Sequence, residues 1–372
     1  MDDGHVLQGC VLTPEGWVRG GVEFNARVER VFGRCCPGPA SGEDIVLPGF
    51  IDLHVHGGGG ADTMDGGDAI QRIATLHAQH GTTALLATTV TADREALRRA
   101  LAAIGPAVRR RAAGAARVLG VHLEGPFINA SRLGAQPDAA RPADLDELMA
   151  LHALAPVRVV TLAPEMSGHL GFIRHLAEMG IAAQCGHSAG SYEMGVAALM
   201  AGMAGFTHLF NAMSPLHHRQ PGMVGAALAH ARHAELIPDL LHVHPGAMRT
   251  ALRAIPGLYC VTDATAAAGM PDGDYRLGTH TVSKCAGGVR LADGTLAGST
   301  LTMDQALRNL VEIGLELDDA SRRLSAHPAR YVGEADRGRI EPGRHADLLL
   351  LRADLQLRAV YVEGENLELA HA

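Results

Sequence analysis

IVLPGFIDLHVHG, residues 45–57, is an apolar run that ends in two histidines separated by one residue. Further apolar runs of strand length follow it, and alanine-rich stretches with helical periodicity lie between them. The eight runs are 45–55, 83–90, 118–123, 157–163, 181–185, 206–210, 236–243 and 258–262. This alternation predicts an α/β fold, a (β/α)8 TIM barrel of parallel strands. A doubly wound sheet would alternate in the same way, but the polar residues at the strand ends favour the barrel.

The two ends of the chain have a different pattern. Short extended pieces separated by glycine, proline and acidic residues occupy residues 1–47, and similar pieces recur at 346–351 and 359–363. Such pieces predict β-strands joined by turns. We therefore expect a small β-sandwich-like domain formed by residues 1–47 plus 343–372, and a barrel over residues 48–342.

Composition narrows the class of protein. With 47% hydrophobic and 19% charged residues, the 372-residue chain can bury a large core and is not disordered. A formal net charge of -8 argues against nucleic acid as the main partner. No apolar run has the length of a membrane span, and the first residues do not resemble a secretory signal. Six cysteines without regular spacing indicate a reduced, cytoplasmic protein.

Residues able to bind a metal ion follow several of the apolar runs. His54 and His56 end the first run, Glu124 and His187 follow the third and fifth, and His208 lies in the sixth. Residues two apart in a strand point to the same face, so the two histidines of the first run can bind one ion together. A mixed histidine and carboxylate set suits a divalent metal, with Zn²⁺ the expected ion, one or two per subunit. One histidine among 21 would indicate little, whereas the ordered series predicts a metal site at one rim of the barrel.

Asp263 follows the eighth run, at the same predicted rim. A bound divalent metal lowers the pKa of water to roughly 7, which makes hydroxide available at neutral pH. A carboxylate within reach can take the proton of that water and later pass it to a leaving group. We therefore expect Asp263 to act as general base and general acid; a turn or helix-capping aspartate is the alternative.

Longer segments resemble a known family. PGFIDLHVHG at 48–57 and PGRHADL at 342–348 are similar to the opening and closing motifs of the amidohydrolase superfamily. HLEGPFIN at 122–129, THLFNAM at 207–213 and VTDA at 261–264 resemble, more specifically, the N-acetylglucosamine-6-phosphate deacetylases. The resemblance covers nearly the whole chain. It implies hydrolysis of N-acetyl-D-glucosamine 6-phosphate to D-glucosamine 6-phosphate and acetate, in amino-sugar catabolism or recycling.

The resemblance also implies roles for single residues. Glu124, His187 and His208 would bind the metal found throughout the family, and Asp263 would transfer the proton. His242 would hold the acetyl carbonyl oxygen and stabilise the oxyanion. Some relatives that hold one metal lack the HxH motif of the first run. This chain has the motif, so the resemblance leaves one or two metals as alternatives.

The same resemblance implies how the substrate is held. Arg219 would bind the sugar phosphate from the neighbouring subunit of a homodimer, since a guanidinium fork matches phosphate oxygens. The other implied substrate contacts are Ala135, Gln136, Asn211, Ala212, His218, Leu296, Ala297 and Gly298.

The position of the only lysine of the chain distinguishes between branches of this superfamily. Many two-metal amidohydrolases bridge their metals with a carbamylated lysine on the fourth strand. Lys284 lies beyond Asp263, the residue after the eighth run, and cannot take that place. Glu124 remains as the bridging carboxylate, which disfavours a dihydroorotase-like or hydantoinase-like enzyme.

The chain differs from the family pattern at two positions, so the sequence does not determine the exact sugar. Leu240 stands where the family usually has glycine, and Gln136 stands where a histidine is common. N-acetylgalactosamine 6-phosphate, or a non-phosphorylated N-acyl compound, is therefore an alternative substrate. An alternative from another class is a non-catalytic amidohydrolase-like binding protein, but such relatives typically lose metal ligands and this chain retains every ligand-type residue.

Overall fold

The computed structural model describes residues 4–367 and 369 of the protein. Its strands, in chain order, are β1 His5–Thr13, β2 Gly16–Phe24, β3 Val28–Cys36, β4 Ile45–Pro48, β5 Phe50–Val55, β6 Gly57–Gly58, β7 Ala61–Asp62, β8 Thr82–Thr89, β9 Arg117–Glu124, β10 Val157–Leu162, β11 Ala182–Cys185, β12 Gly205–Phe206, β13 Glu235–Leu236, β14 Tyr259–Cys260, β15 Gly273–Leu277, β16 His280–Cys285, β17 Gly288–Arg290, β18 Leu348–Leu351, β19 Leu357–Val362 and β20 Glu365–Leu367. Its α-helices are α1 Ala69–Gln79, α2 Arg94–Arg109, α3 Leu145–His152, α4 His169–Glu178, α5 Tyr192–Met200, α6 Gly222–His230, α7 Pro245–Ala254, α8 Met303–Glu312, α9 Leu317–Leu324 and α10 Ala326–Tyr331. Short 3-10 helices cover Thr63–Asp65 and Ala130–Arg132.

The middle of the described chain forms the barrel. β12, β11, β10, β9, β8 and β5 pair in that order in one parallel sheet, and β13 pairs in parallel with β14. The backbone N–H of Leu209 donates to the Glu235 carbonyl (2.9 Å) and joins β12 to β13. The N–H of Asp263 donates to the His54 carbonyl (2.9 Å) and joins the end of β14 to β5. These bonds close the ring of parallel strands, so the predicted α/β fold with a TIM barrel is confirmed.

Burial and helix caps explain these elements. All eight residues of β8 are buried, as expected where helices cover one face of a parallel strand and side chains fill the barrel on the other. The Asp93 carboxylate accepts from the Ala96 N–H and starts α2. The Asp144 carboxylate accepts from the N–H groups of Asp146 and Glu147 and starts α3.

The terminal segments share one sheet. Its strand order is β20-β19-β18-β4-β1-β2-β3, and β4 pairs in parallel with β1 and antiparallel with β18. Val11, Val22 and Phe24 form a second core with Leu348 and Tyr361. This sheet supports our proposal of a small domain of residues 1–47 plus 343–372 beside a barrel of 48–342. Residues 1–3, 368 and 370–372 of the proposed small domain lie outside the described residues.

The prediction for the seventh barrel strand is wrong in length. A strand is predicted over 236–243, but β13 ends at Leu236. Pro238 lacks a backbone N–H, and the Asp239 carboxylate accepts from the N–H groups of Leu241 and His242 (both 2.9 Å). Leu240 adopts a φ of 65°, which is left-handed. His242 therefore lies in a turn beyond the strand, not on it.

A small antiparallel sheet that the sequence analysis does not anticipate follows the barrel strands. β15, β16 and β17 form it, and Leu277 of β15 and Leu296 beyond β17 reach the barrel rim. Lys284 lies on β16 and its Nζ donates to the Met270 carbonyl (2.5 Å). Among the described residues, no helix is both long and apolar enough to cross a membrane.

Candidate active site

Three of the predicted ligands meet at the carboxyl end of the barrel strands. Glu124 ends β9, His187 follows β11 and His208 follows β12. The Glu124 Oε1 atom lies 3.2 Å from His187 Nε2 and 3.0 Å from His208 Nε2. The two Nε2 atoms are 3.1 Å apart. We call these three residues the Glu124 cluster.

A second cluster lies beside the first. His54 on β5, His56 just after it and Asp263 after β14 form this Asp263 cluster. His56 Nε2 is 3.2 Å from both His54 Nε2 and Asp263 Oδ1. Glu124 belongs to the first cluster but also touches the second, because its Oε2 is 3.1 Å from His56 Nε2. One carboxylate therefore lies between two groups of ligand atoms.

Unusual backbone conformations turn three of these side chains inward. His187 (φ 48°), His208 (φ 28°) and Asp263 (φ 51°) all occupy the left-handed region. Non-glycine residues rarely adopt it, and it persists only where the surrounding structure enforces it. Taken as whole residues, backbone included, all three are at most 7% exposed. The strained backbone at the strand ends thus belongs to the candidate site.

Hydrogen bonds on the outer ring atoms indicate that the donor set fits a cation. A carbonyl oxygen only accepts, so the Nδ1 of His187, 2.8 Å from the Arg132 carbonyl, carries the ring hydrogen. Its Nε2 then presents a lone pair to the Glu124 carboxylate. His54 is similar, because its Nδ1 lies 2.9 Å from the Glu235 carboxylate. Lone pairs that face a carboxylate need positive charge between them, so both clusters fit a divalent metal ion.

The acid–base properties agree with this view. Burial alone would raise the pKa of Glu124, but His54 and the other nearby histidines hold that pKa well below its usual range. Burial alone would lower the pKa of His56, but its bonds to Asp263 and Glu124 raise that pKa to about 9. A divalent cation would therefore compete with protons for these ligand atoms.

Both clusters open into a cavity of about 360 Å³, within the range of small-molecule sites. The predicted substrate residues that line it are Ala135, Gln136, Asn211, Ala212, Leu296 and Gly298. The Gln136 amide has protein partners on both sides: Nε2 donates to Glu124 Oε2, and Oε1 accepts from the Thr91 N–H (2.6 Å). Gln136 therefore holds the bridging carboxylate in addition to lining the cavity.

Three predicted substrate residues lie away from this cavity wall. Arg219 and His218 are exposed, and Arg219 Nη1 is 2.7 Å from His218 Nε2. Ala297 is buried, and its N–H donates to the Val289 carbonyl of β17 (3.0 Å). Within the chain as described, the cavity is thus built without the predicted phosphate-binding arginine.

His242 lines the same cavity as the clusters. Its Nδ1 donates to Asp239 Oδ2 (2.6 Å), which leaves Nε2 free. Burial would lower the pKa of His242, but the Asp239 carboxylate outweighs this and raises that pKa.

Glu165, another carboxylate near the clusters, is held by hydrogen bonds. It accepts from the Ser188 hydroxyl and the Ala189 N–H (both 2.7 Å). Asp239 and Glu165 are therefore both held by hydrogen bonds to structural neighbours, whereas the Asp263 carboxylate faces the two histidines of its own cluster.

Residues 45–367 match the amidohydrolase family model. The chain belongs to this family. Among amidohydrolases, it is 40% identical to the N-acetylgalactosamine-6-phosphate deacetylase of Escherichia coli O157:H7, over 97% of this chain and 98% of that protein. It is 38% identical to the N-acetylglucosamine-6-phosphate deacetylase of Bacillus subtilis (strain 168), over 87% and 85% of the two chains.

A solved amidohydrolase structure supports the same grouping. A mutant N-acetyl-D-glucosamine-6-phosphate deacetylase from Mycobacterium smegmatis, in complex with N-acetyl-D-glucosamine-6-phosphate, is 36% identical to this chain. It matches with a TM-score of 0.90 over 98% of this chain and 99% of that one. The resemblance to deacetylases found in the sequence is confirmed.

Glu235, which contacts candidate metal ligands of both clusters, was not predicted from the sequence. Its carboxylate is completely buried in this amidohydrolase barrel, at the start of β13. The signal that could have found it is an acidic residue directly before the apolar residues Leu236 and Ile237. An unpaired charge is costly inside a barrel, so such a residue needs buried partners.

Proposed function

We propose that the protein is a metal-dependent deacetylase that converts N-acetyl-D-glucosamine 6-phosphate to D-glucosamine 6-phosphate and acetate. One observation carries the proposal: Glu124 lies between two histidine–carboxylate clusters on the floor of a cavity large enough for a small ligand. The deacetylase names of the similar proteins supply the reaction class. The retained ligand set argues against a non-catalytic binding protein.

We propose Zn²⁺ as the natural metal, one or two ions per subunit. Glu124, His187 and His208 would hold one ion, and His54 and His56 would hold the second. When bound, such an ion supplies Lewis acidity, which lowers the pKa of water and polarises the acetamide carbonyl.

Two residues of the chain would carry out the remaining steps. Asp263 would take a proton from the water that adds to the carbonyl carbon, and would return it to the amine nitrogen as the carbon–nitrogen bond breaks. Support comes from its place beside His56 and at the cavity wall. His242 would donate from Nε2 to the carbonyl oxygen and to the oxyanion that develops there. Its bond to Asp239 favours the protonated ring that this role needs.

Sugar and phosphate recognition remain parts of the proposal. Asn211, Ala212, Gln136 and Gly298 line the cavity and would contact the sugar. Arg219 would bind the phosphate of the substrate held by the other subunit of a homodimer. Its exposed position away from the cavity of its own chain supports this arrangement. We also propose a cytoplasmic location, which the six free cysteines of the described residues support.

A second substrate, N-acetylgalactosamine 6-phosphate, is favoured by the 40% identity to the Escherichia coli O157:H7 enzyme over nearly the whole chain. Acetate release from a panel of N-acetylated hexosamines, with and without a 6-phosphate, tests both proposals. We expect the highest kcat/KM with N-acetyl-D-glucosamine 6-phosphate. A higher value with the galactosamine epimer would reassign the substrate, and no acetate from any sugar would refute the deacetylase.

A further inference from the structure

Glu235 is a buried carboxylate to which the proposed reaction assigns no role. It begins β13, and its side chain is completely buried beneath the two clusters. Its Oε2 accepts from the Nδ1 of His54 (2.9 Å) and from the backbone N–H of His208 (3.2 Å). Its Oε1 accepts from the Tyr259 hydroxyl (3.2 Å). One carboxylate therefore receives three donors, two of which belong to candidate metal ligands.

Glu235 is arranged as a partner of a ligand rather than as a ligand itself. His122 lies close to it, but both ring nitrogens of His122 already have partners, the Leu53 carbonyl (3.0 Å) and the Thr161 hydroxyl (2.7 Å). His54 turns only Nδ1 towards Glu235 and directs Nε2 to the Asp263 cluster. A carboxylate that accepts from the outer nitrogen of a metal-binding histidine fixes its tautomer and orientation and raises its basicity.

We propose that Glu235 is the positioning residue that makes His54 an Nε2 donor and thereby allows the His54/His56 position to hold a divalent ion. The inference rests on the proposed function only in requiring that the clusters bind metal. If the Nδ1–H of His54 lost its acceptor, the hydrogen could move to Nε2 or the ring could rotate, and the Asp263 cluster would lose a donor. Glu235 also adds a negative charge behind the ligand shell, which favours a cation in front of it.

The Glu124 cluster depends on Glu235 in a different way. Glu235 accepts a hydrogen bond from the backbone N–H of His208, whereas the ring Nε2 of His208 faces Glu124 Oε1 (3.0 Å). Loss of Glu235 should therefore weaken one metal position far more than the other. That asymmetry separates a positioning role from a general loss of stability, which would weaken both positions together.

The test compares metal binding by the full-length protein and three variants. Metal-free protein is titrated calorimetrically with Zn²⁺ and, separately, with Co²⁺ while the visible absorption of the cobalt sites is recorded. Glu235→Gln keeps an acceptor oxygen but removes the charge, and Glu235→Leu removes both. Tyr259→Phe is the matched control, because it removes a donor from the same carboxylate without touching His54.

The expected result is two equivalents of metal in the unchanged protein and in Tyr259→Phe. In Glu235→Gln the Kd of the second equivalent should rise about tenfold, and in Glu235→Leu about a hundredfold, with a smaller change in the first. In a His54→Ala background, Glu235→Gln should cause no further loss. Circular dichroism and thermal melting identify a variant that fails to fold, and the isosteric Glu235→Gln then decides the question.

Three outcomes would overturn the inference. They are one equivalent in the unchanged protein, wild-type affinity for both equivalents in folded Glu235→Leu, and an equal loss at both positions. None of these depends on acetate release, so a protein that binds two ions but deacetylates no sugar would refute the proposed function and leave this inference standing.

Discussion

Replacing Asp263 by asparagine should stop proton transfer while preserving the fold and the Glu124 cluster. The side chain is 11% exposed, and its Oδ1 lies 3.2 Å from His56 Nε2 and 3.5 Å from His54 Nε2. Asparagine has nearly the same shape, so we expect the fold to remain. Asp263 is not a member of the Glu124 cluster, so a metal ion bound there should also remain.

The magnitude follows from the role that Asp263 has in the proposal. A positioned general acid–base group contributes about 10²- to 10⁴-fold to a rate. At 1.36 kcal/mol for each factor of ten, the activation free energy should rise by about 2.7–5.4 kcal/mol. Glu165 and Asp239 cannot replace Asp263 without giving up the hydrogen bonds that hold Ser188 and His242. We therefore expect kcat to fall at least about a hundredfold.

The assay measures acetate release under saturating substrate, with the metal content of the same sample determined by mass spectrometry. A low kcat, with the metal at the Glu124 cluster still present, supports the proton-transfer role of Asp263. A near-normal kcat with the same metal content would refute it and move the proton-transfer role to Asp239 or Glu165. Asp239→Asn and Glu165→Gln serve as matched comparisons, since each removes a buried or half-buried carboxylate elsewhere at the rim.

Three further predictions concern metal, phosphate and stability. A chelator should abolish acetate release and added Zn²⁺ should restore it; full activity in metal-free protein would contradict the metal role. Arg219→Ala should raise KM steeply for the phosphorylated sugar and spare the weak activity on the free sugar, and an equal loss on both would count against phosphate binding. Burial would raise the pKa of Glu363, but Arg117 and Arg337 lower it to about 2, so its stabilisation is complete above about pH 4.5 and is lost towards pH 2. Glu363→Gln should therefore lower the free energy of unfolding at pH 7 by on the order of 2 kcal/mol. Measured by urea unfolding, the free energy of unfolding of this variant should differ less between pH 7 and pH 3 than that of the unchanged protein.

The parts of the fold that were predicted well have strong local signals. β8 and β9 lie within one residue of the predicted runs because continuous burial of a parallel strand leaves an uninterrupted apolar sequence. The ligand-type residues were found because they lie within or shortly after such runs. β13 was predicted too long because Leu240, Leu241 and Val243 are apolar, whereas the turn depends on Pro238 and on the Asp239 side chain.

The sequence by itself determined the barrel, the rim at which the ligand-type residues gather and the family. These follow from the order of residues along the chain, because periodicity and parallel strand direction act locally. Only the tertiary structure decided that Asp239 holds His242 and that Glu235 supports His54. His54 and Glu235 are 181 positions apart in the chain and meet only when β5 and β13 close the same barrel. No local sequence pattern predicts the partner of a buried charge, because the two residues come together only when the barrel closes.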